Sequence, residues 1–287
     1  MSSVSQKGSV GMPRSAAGSL RLTVRPAIGR WVLNGFVGIV LAFLLLPTLI
    51  VLPMSLGEAS YIEFPPKGLT LKWYEAYFAD PDWMAATWFS LKTASATTVA
   101  ATIIGTLASF ALVRGNLPGA RALQALTLAP LIVPHIVLAV ALYLVFAPIG
   151  LTGNFAGFAI AHTMLSVPYV MLTVSAALQR FDPALELAAL NCGASRVRAF
   201  WHIVLPSIAP GVAAGAVFAF LASFDEATVA FFISGVDGKT ITRKLFEDID
   251  YNLTPVIAAA STVMVVVSLL LMSGIEWLRS RGVNRAI

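Results

Sequence analysis

The groups able to do chemistry in this chain are few, and several sit where charge is costly. Asp225 and Glu226 stand side by side within an apolar run from Ala209 to Ile233. A charge at bilayer depth costs about 2.5–3.5 kcal/mol on insertion scales, so such residues face a cavity or a partner. Three readings follow: a polar path on which they attract a cation, a structural pair with a base, or a helix end in water. Adjacent helical residues lie about 100° apart, so one of the two faces the path and the other does not. Tyr143, Phe146 and Phe224 would supply ring faces for a cation, or simply pack. His135 and His162 lie at membrane depth, where a lone histidine hydrogen-bonds a neighbouring helix more readily than it holds a metal. No second ligand stands at i+4, so there is no zinc site. His162 and Ser166 are four residues apart, but no third group completes a nucleophile–base set. The single cysteine, Cys192, excludes an internal disulfide and a cysteine-built metal site. Gly238-Lys239-Thr240 ends like a phosphate-binding loop, but Ile233 stands where its first glycine belongs. No catalytic residue, metal or cofactor is therefore assigned to the chain.

The composition says what must hold these groups. Of 287 residues, 58% are hydrophobic and 11% charged, against ~25% charged in ordinary soluble domains. This excludes a soluble enzyme, a disordered chain and a nucleic-acid reader. A membrane helix needs about 20 apolar residues, and six stretches qualify: 31–54, 87–113, 122–146, 155–178, 208–233 and 254–278. The fourth contains His162, and Asp225 and Glu226 interrupt the fifth. The first is too long for the apolar core of a secretory signal and reads as a retained span.

The charges give the orientation. The two termini and alternate loops carry 13 of the 19 Lys and Arg residues, which places both termini in the cytoplasm. The net charge of +5 thus reports topology rather than nucleic acid. Residues 1–30, rich in Ser, Gly and Arg, read as a mostly disordered basic tail, and 31–287 as one transmembrane domain. Outside, Trp73, Tyr74, Tyr77 and Phe78 fall on one face of a short helix, either at the membrane interface or packed inward. The outer loop holding Lys244, Glu247, Asp248 and Asp250 is either a contact surface or merely solvated.

The cytoplasmic loop from 179 to 207 is too structured to be a turn. Asp182 and Pro183 supply a cap and a first helical residue. A short helix follows over 184–192, Gly193 permits a break, and Ser195 caps a second helix. Val197, Phe200, Trp201 and Val204 follow helical spacing, and Pro206 is expected to stop that helix. Arg196 and Arg198 lie on its polar face. Such an elbow is a docking element or an amphipathic hairpin on lipid headgroups.

The elbow resembles the EAA loop of ABC-importer permeases: Glu-Ala-Ala, three residues, Gly, nine residues, Ile, one residue, Leu-Pro. This chain has Leu187-Ala188-Ala189, Gly193, Ile203 and Leu205-Pro206 at those spacings, with Glu186 one position ahead of the family's glutamate. Ala194 and Ser195 follow the glycine. The stretches 128–134, 161–163 and 167–169 also look like this family. Ser223 to Phe232 is similar to the spermidine/putrescine branch, and the chain resembles the shorter permease of the pair. Opine, 4-aminobutyrate and aminoethylphosphonate importers share similar segments.

The resemblance implies an all-α membrane protein with six transmembrane helices of the type I ABC importer permease kind. It implies a second homologous permease subunit, an ATPase dimer that binds ATP and Mg, a periplasmic or extracellular substrate-binding protein, and a bacterial inner membrane. Glu186, Leu187, Ala188, Ala189, Gly193, Ala194, Ser195, Ile203, Leu205 and Pro206 would couple to the ATPase. Asp225, Glu226, Phe224 and Tyr143 would line the path of a polyamine. This chain would carry out no covalent chemistry. A secondary carrier or channel would show internal repeats, and none is evident.

Overall fold

The computed structural model describes residues 26–115, 117–235 and 238–283, with side chains from 30 to 274. The basic tail up to residue 25 lies outside the described residues. Residues 26–30, expected in that tail, already belong to helix α1 (Pro26–Met54), which begins with proline at its first turn. Contacts divide the chain into two compact units, Met1–Leu49 and Ile50–Ile287. In the first, apolar side chains of α1 such as Trp31, Phe36 and Phe43 are exposed.

The second unit is built on three helices, α3 (Pro81–Arg114), α6 (Phe155–Arg180) and α9 (Leu205–Phe224), each packed against the other two. Lipid gives no hydrophobic drive for helices to associate, so close backbone approach must hold them. Small residues permit it. A Cβ placed on Gly105 of α3 would come within 2.7 Å of the Val170 Cβ on α6. Gly211 and Gly215 of α9 would each bring a Cβ to 2.6 Å from α6, at Ala177 and Thr173. These two glycines form a Gly-x-x-x-Gly pair, a helix-packing signal that the sequence reading did not use. A buried cluster of Val170, Met171, Val174, Leu178, Val204 and Ile208 fills the seam.

Among the described residues, five helices are long and apolar enough to cross a membrane: α1, α3, α6, the run Arg196–Phe224 and α12 (Val256–Val283). The expected span 122–146 is not one straight helix. It is α4 (Ala120–Ile132) and α5 (His135–Phe146), bent by 103°, and it makes the sixth span if counted as one. Pro134 is the cause. It disfavours helical geometry at the preceding residue, and Val133 sits at φ −71°, ψ 132°. Pro130 stays inside α4.

The expected span 208–233 is also divided. Here α9 ends at Phe224, and α10 (Thr228–Ile233) follows after Asp225 and Glu226. Pro206 does not stop the preceding helix either. The short helix α8 (Arg196–Ala199) runs through a π-turn at Phe200–Val204 straight into α9. The turn closes with the Leu205 N–H on the Phe200 carbonyl, and Pro206 then falls in the first turn of α9, where its missing N–H is tolerated.

The short helices are α2 (Lys72–Ala79), α7 (Pro183–Asn191) and α11 (Ile241–Tyr251). Tyr77 of α2 is buried with Trp83, Phe224 and Ile241, whereas Phe78 is exposed. The outer helix therefore packs inward through Tyr77. Trp73 ties it back further by donating its indole N–H to the Gly57 carbonyl at 2.8 Å.

Candidate functional site

The elbow is locally well specified. The Asp182 carboxylate accepts the Ala184 N–H at 2.9 Å, with Pro183 at the first helical position of α7. Gly193 ends α7 at φ +86°. Its N–H donates to the Leu190 carbonyl and the Ala194 N–H to the Ala189 carbonyl, each at 3.0 Å. This is a Schellman closure, which calls for a left-handed residue at that position. Ser195 then caps α8 by accepting the Arg198 N–H at 3.3 Å.

The motif residues divide by face. Leu187 is 59% exposed, and Ala188, Gly193, Ser195 and Pro206 are exposed with it. Ile203 and Leu205 pack on the central cluster, and Ala189 and Ala194 are half-buried. Glu186 turns inward, to an ion pair with Arg114 at the end of α3. Leu185, Leu187, Val197 and Trp201 are all exposed apolar side chains of the elbow.

At the break between α9 and α10 the two adjacent carboxylates part. Asp225 is exposed, while Glu226 is 7% exposed. Glu226 is fully engaged. One oxygen accepts the Val229 N–H at 2.8 Å, at the start of α10. The other lies 3.2 Å from Nδ1 of His135, the first residue of α5. Its backbone carbonyl accepts the Thr242 hydroxyl at 2.9 Å, from α11. One residue thus fastens both broken spans at their breaks, and it leaves the Asp225 carboxylate as the exposed negative group.

Of the two readings of the aromatic residues, packing describes the buried rings. Phe224 is 3% exposed and stacks on Phe220 at 5.6 Å. Phe146 is buried with Phe158 and Ile233. Both rings are packing residues in this conformation, while Tyr143 remains 44% exposed. His162 meets the Ser223 hydroxyl of α9 through Nδ1 at 2.8 Å, a contact between helices, and Ser166 donates to the Ala219 carbonyl instead.

At the end of α3 away from the elbow, Lys239 of the phosphate-loop lookalike pairs with Asp82 at 2.9 Å and Glu247 at 3.4 Å. Thr240 caps α11. Lys244 lies 2.8 Å from Asp248 and 3.0 Å from Asp82. Burial alone would push the Lys244 ammonium down, but the two carboxylates outweigh it and hold its pKa above the usual lysine value.

Arg114 and His135 were not singled out as partners from sequence. Each had a signal: a cation at the C-terminus of a long span, and a histidine directly after the proline that breaks a span.

Residues 101–281 match the family described as "Binding-protein-dependent transport system inner membrane component". The chain is 32% identical over 239 residues to the spermidine/putrescine transport system permease protein PotC of Haemophilus influenzae, covering 83% of this chain and 93% of that one. It is 30% identical over 233 residues to the putrescine transport system permease protein PotI of Escherichia coli K12, covering 76% and 83%. Its fold is that of a bacterial ABC transporter involved in the import of the acidic polysaccharide alginate, with a TM-score of 0.68 at 14% identity over 87% of this chain and 96% of the other.

Proposed function

We propose, for a chain that belongs to the binding-protein-dependent transport system inner membrane components, the integral membrane permeases of ATP-driven importers, that its cargo is a polyamine. The exposed Asp225 carries this reading. Among the described residues its carboxylate has no ion-pair partner, and it stands at a break within an apolar helical run, where a charge is costly unless it serves a polar path. A protonated amine is its chemical complement. The names of PotC and PotI support the same class. In this reading Asp225 and Tyr143 face the path, and Glu226 holds the wall together. Phe224 backs the wall from the buried side.

The partners follow from the same premise: a second permease, a pair of ATPase subunits that bind ATP and Mg, and a soluble binding protein. Both termini lie in the cytoplasm of a bacterium, with the chain in its inner membrane. The elbow docks on the ATPase through Leu187, Ala188 and Ala189, with Gly193, Ala194 and Ser195 shaping the turn. Ile203, Leu205 and Pro206 join it to α9. The exposed apolar side chains of the elbow support docking, since water would not retain them uncovered.

The test is ATP-driven uptake by the reconstituted complex. Labelled spermidine or putrescine should accumulate, 4-aminobutyrate should not compete, and Asp225→Asn should cut uptake at least about tenfold, equivalent to 1.4 kcal/mol, without loss of assembly. Unchanged uptake by Asp225→Asn, or accumulation of a neutral or anionic solute instead, would refute the polyamine reading.

A further inference from the structure

We infer that Arg114 is a positioning residue for transport, locking the elbow to α3 so that displacement of α7 is delivered to the packed helices. This rests on the docking role proposed above for the elbow. Helix α7 has no buried side chain of its own. Among the described residues, the Glu186–Arg114 ion pair is the one side-chain polar contact that leaves it. Helix α7 also packs on the π-turn that leads into α9, so without that tie a push on α7 would reach α9 but would not be passed directly to α3.

The guanidinium is built into its place. Arg114 is the last residue of α3, where the helix dipole favours a cation. The two side chains of the pair are 24% and 28% exposed, so the pair is shielded well beyond a surface ion pair. The Arg114 guanidinium carbon also lies 4.8 Å from the Phe181 ring centroid, at the end of α6, and 5.7 Å from that of Phe110, one turn back on α3. Phe110 in turn meets Phe200 edge to face at 5.1 Å, and Phe200 opens the π-turn that leads into α9. A single planar cation therefore touches α3, α6 and α7, and reaches the root of α9 through one ring. Lysine would replace it only in part, because a point charge can pair with Glu186 but lacks the flat face that stacks on the rings.

The experiment measures substrate imported per ATP hydrolysed, in proteoliposomes holding this chain with its second permease and ATPase, driven by spermidine-loaded binding protein. Arg114→Glu and Glu186→Arg should each lower that ratio about fivefold or more, the lower range of coupling between sites, while ATP hydrolysis continues. The double reversal should recover a large part of it. Arg114→Lys should fall between, because it keeps charge and loses stacking. A purely structural role would lower melting temperature and activity together and leave the ratio unchanged, and that outcome overturns the inference. So does a double reversal no better than the single variants. Where the reversals do not assemble, Arg114→Lys and Glu186→Gln decide, and a wild-type ratio in both overturns it. A wild-type complex that fails to couple ATP hydrolysis to uptake is a different result, and it overturns the proposed function itself.

Discussion

Replacing Gly193 separates what the elbow needs for its own shape from what it needs for docking. The residue sits at φ +86°, and a Cβ added there meets nothing within 4 Å. For alanine the intrachain cost is therefore backbone strain alone, and the exposure of this turn extends the expectation to larger side chains. A non-glycine residue in left-handed geometry costs about 1–2 kcal/mol. The stiffer unfolded chain returns about 0.4–1 kcal/mol of that, which leaves a net loss near 1 kcal/mol. Gly193→Ala, Gly193→Leu and Gly193→Trp should thus lower the melting temperature of the isolated permease by similar small amounts. Gly193→Asn should lower it less, since asparagine tolerates this geometry. In the assembled transporter the same series should part by size. Alanine should stay near wild type in substrate-stimulated ATP hydrolysis, and tryptophan should lose coupling or assembly, because only a docked partner fills the open space. A size ordering in the isolated chain would refute the structural account. Equal coupling by Ala and Trp variants would refute docking at this turn.

Two further changes address the scaffold. Gly215→Val places its Cβ 2.6 Å from the Thr173 hydroxyl and 3.0 Å from the Val170 Cα. Overpacking of this kind costs about 1–3 kcal/mol, so the melting temperature should fall, whereas an exposed-face change such as Gly274→Ala, with nothing within 4 Å, should not lower it. The raised pKa of Lys244 makes its contribution to stability complete below the unfolded lysine value of about 10.4, and it is lost as pH rises through the folded value. Lys244→Met should therefore remove an alkaline limb from the pH–melting curve, and a limb that survives in the variant would assign it elsewhere.

The sequence carried the spans well and their breaks poorly, for a reason that can be stated residue by residue. Hydropathy averages over about 20 residues and sees only that 122–146 and 208–233 are apolar. The bend is decided by Pro134, whose steric demand acts on one neighbour. The end of α9 is decided by Asp225 and by what Glu226 can reach. The elbow was legible because its signals are local: an Asp-Pro start, a glycine where the helix must turn left-handed, and a serine cap. Pro206 misled because the π-turn ahead of it depends on how Phe200 and Val204 pack. The Arg114–Glu186 and His135–Glu226 pairs span 72 and 91 positions, and no local pattern encodes them.

The same geometry gives an expectation for the misplaced glutamate of the elbow. Glu186 and Leu187 are adjacent, so their side chains diverge by about 100° on a helix, and the exposures agree: Glu186 is half-buried, whereas Leu187 is exposed. A carboxylate at 187 would point outward, away from Arg114. The one-residue shift therefore moves the negative charge from the exposed face to the inward one. Exchanging the residues, as Glu186→Leu with Leu187→Glu, recreates the family's Glu-Ala-Ala order and leaves Arg114 part-buried beside a leucine. If the outward face were what mattered, the exchange should improve substrate imported per ATP. The pairing with α3 leads to the opposite expectation: the exchanged chain should couple less well than wild type, though its motif reads closer to the family. Leu187→Glu alone, which keeps the pair but puts a charge on the docking face, should couple better than the exchanged chain. An exchanged chain as well coupled as Leu187→Glu would show that Glu186 carries no part of the stroke.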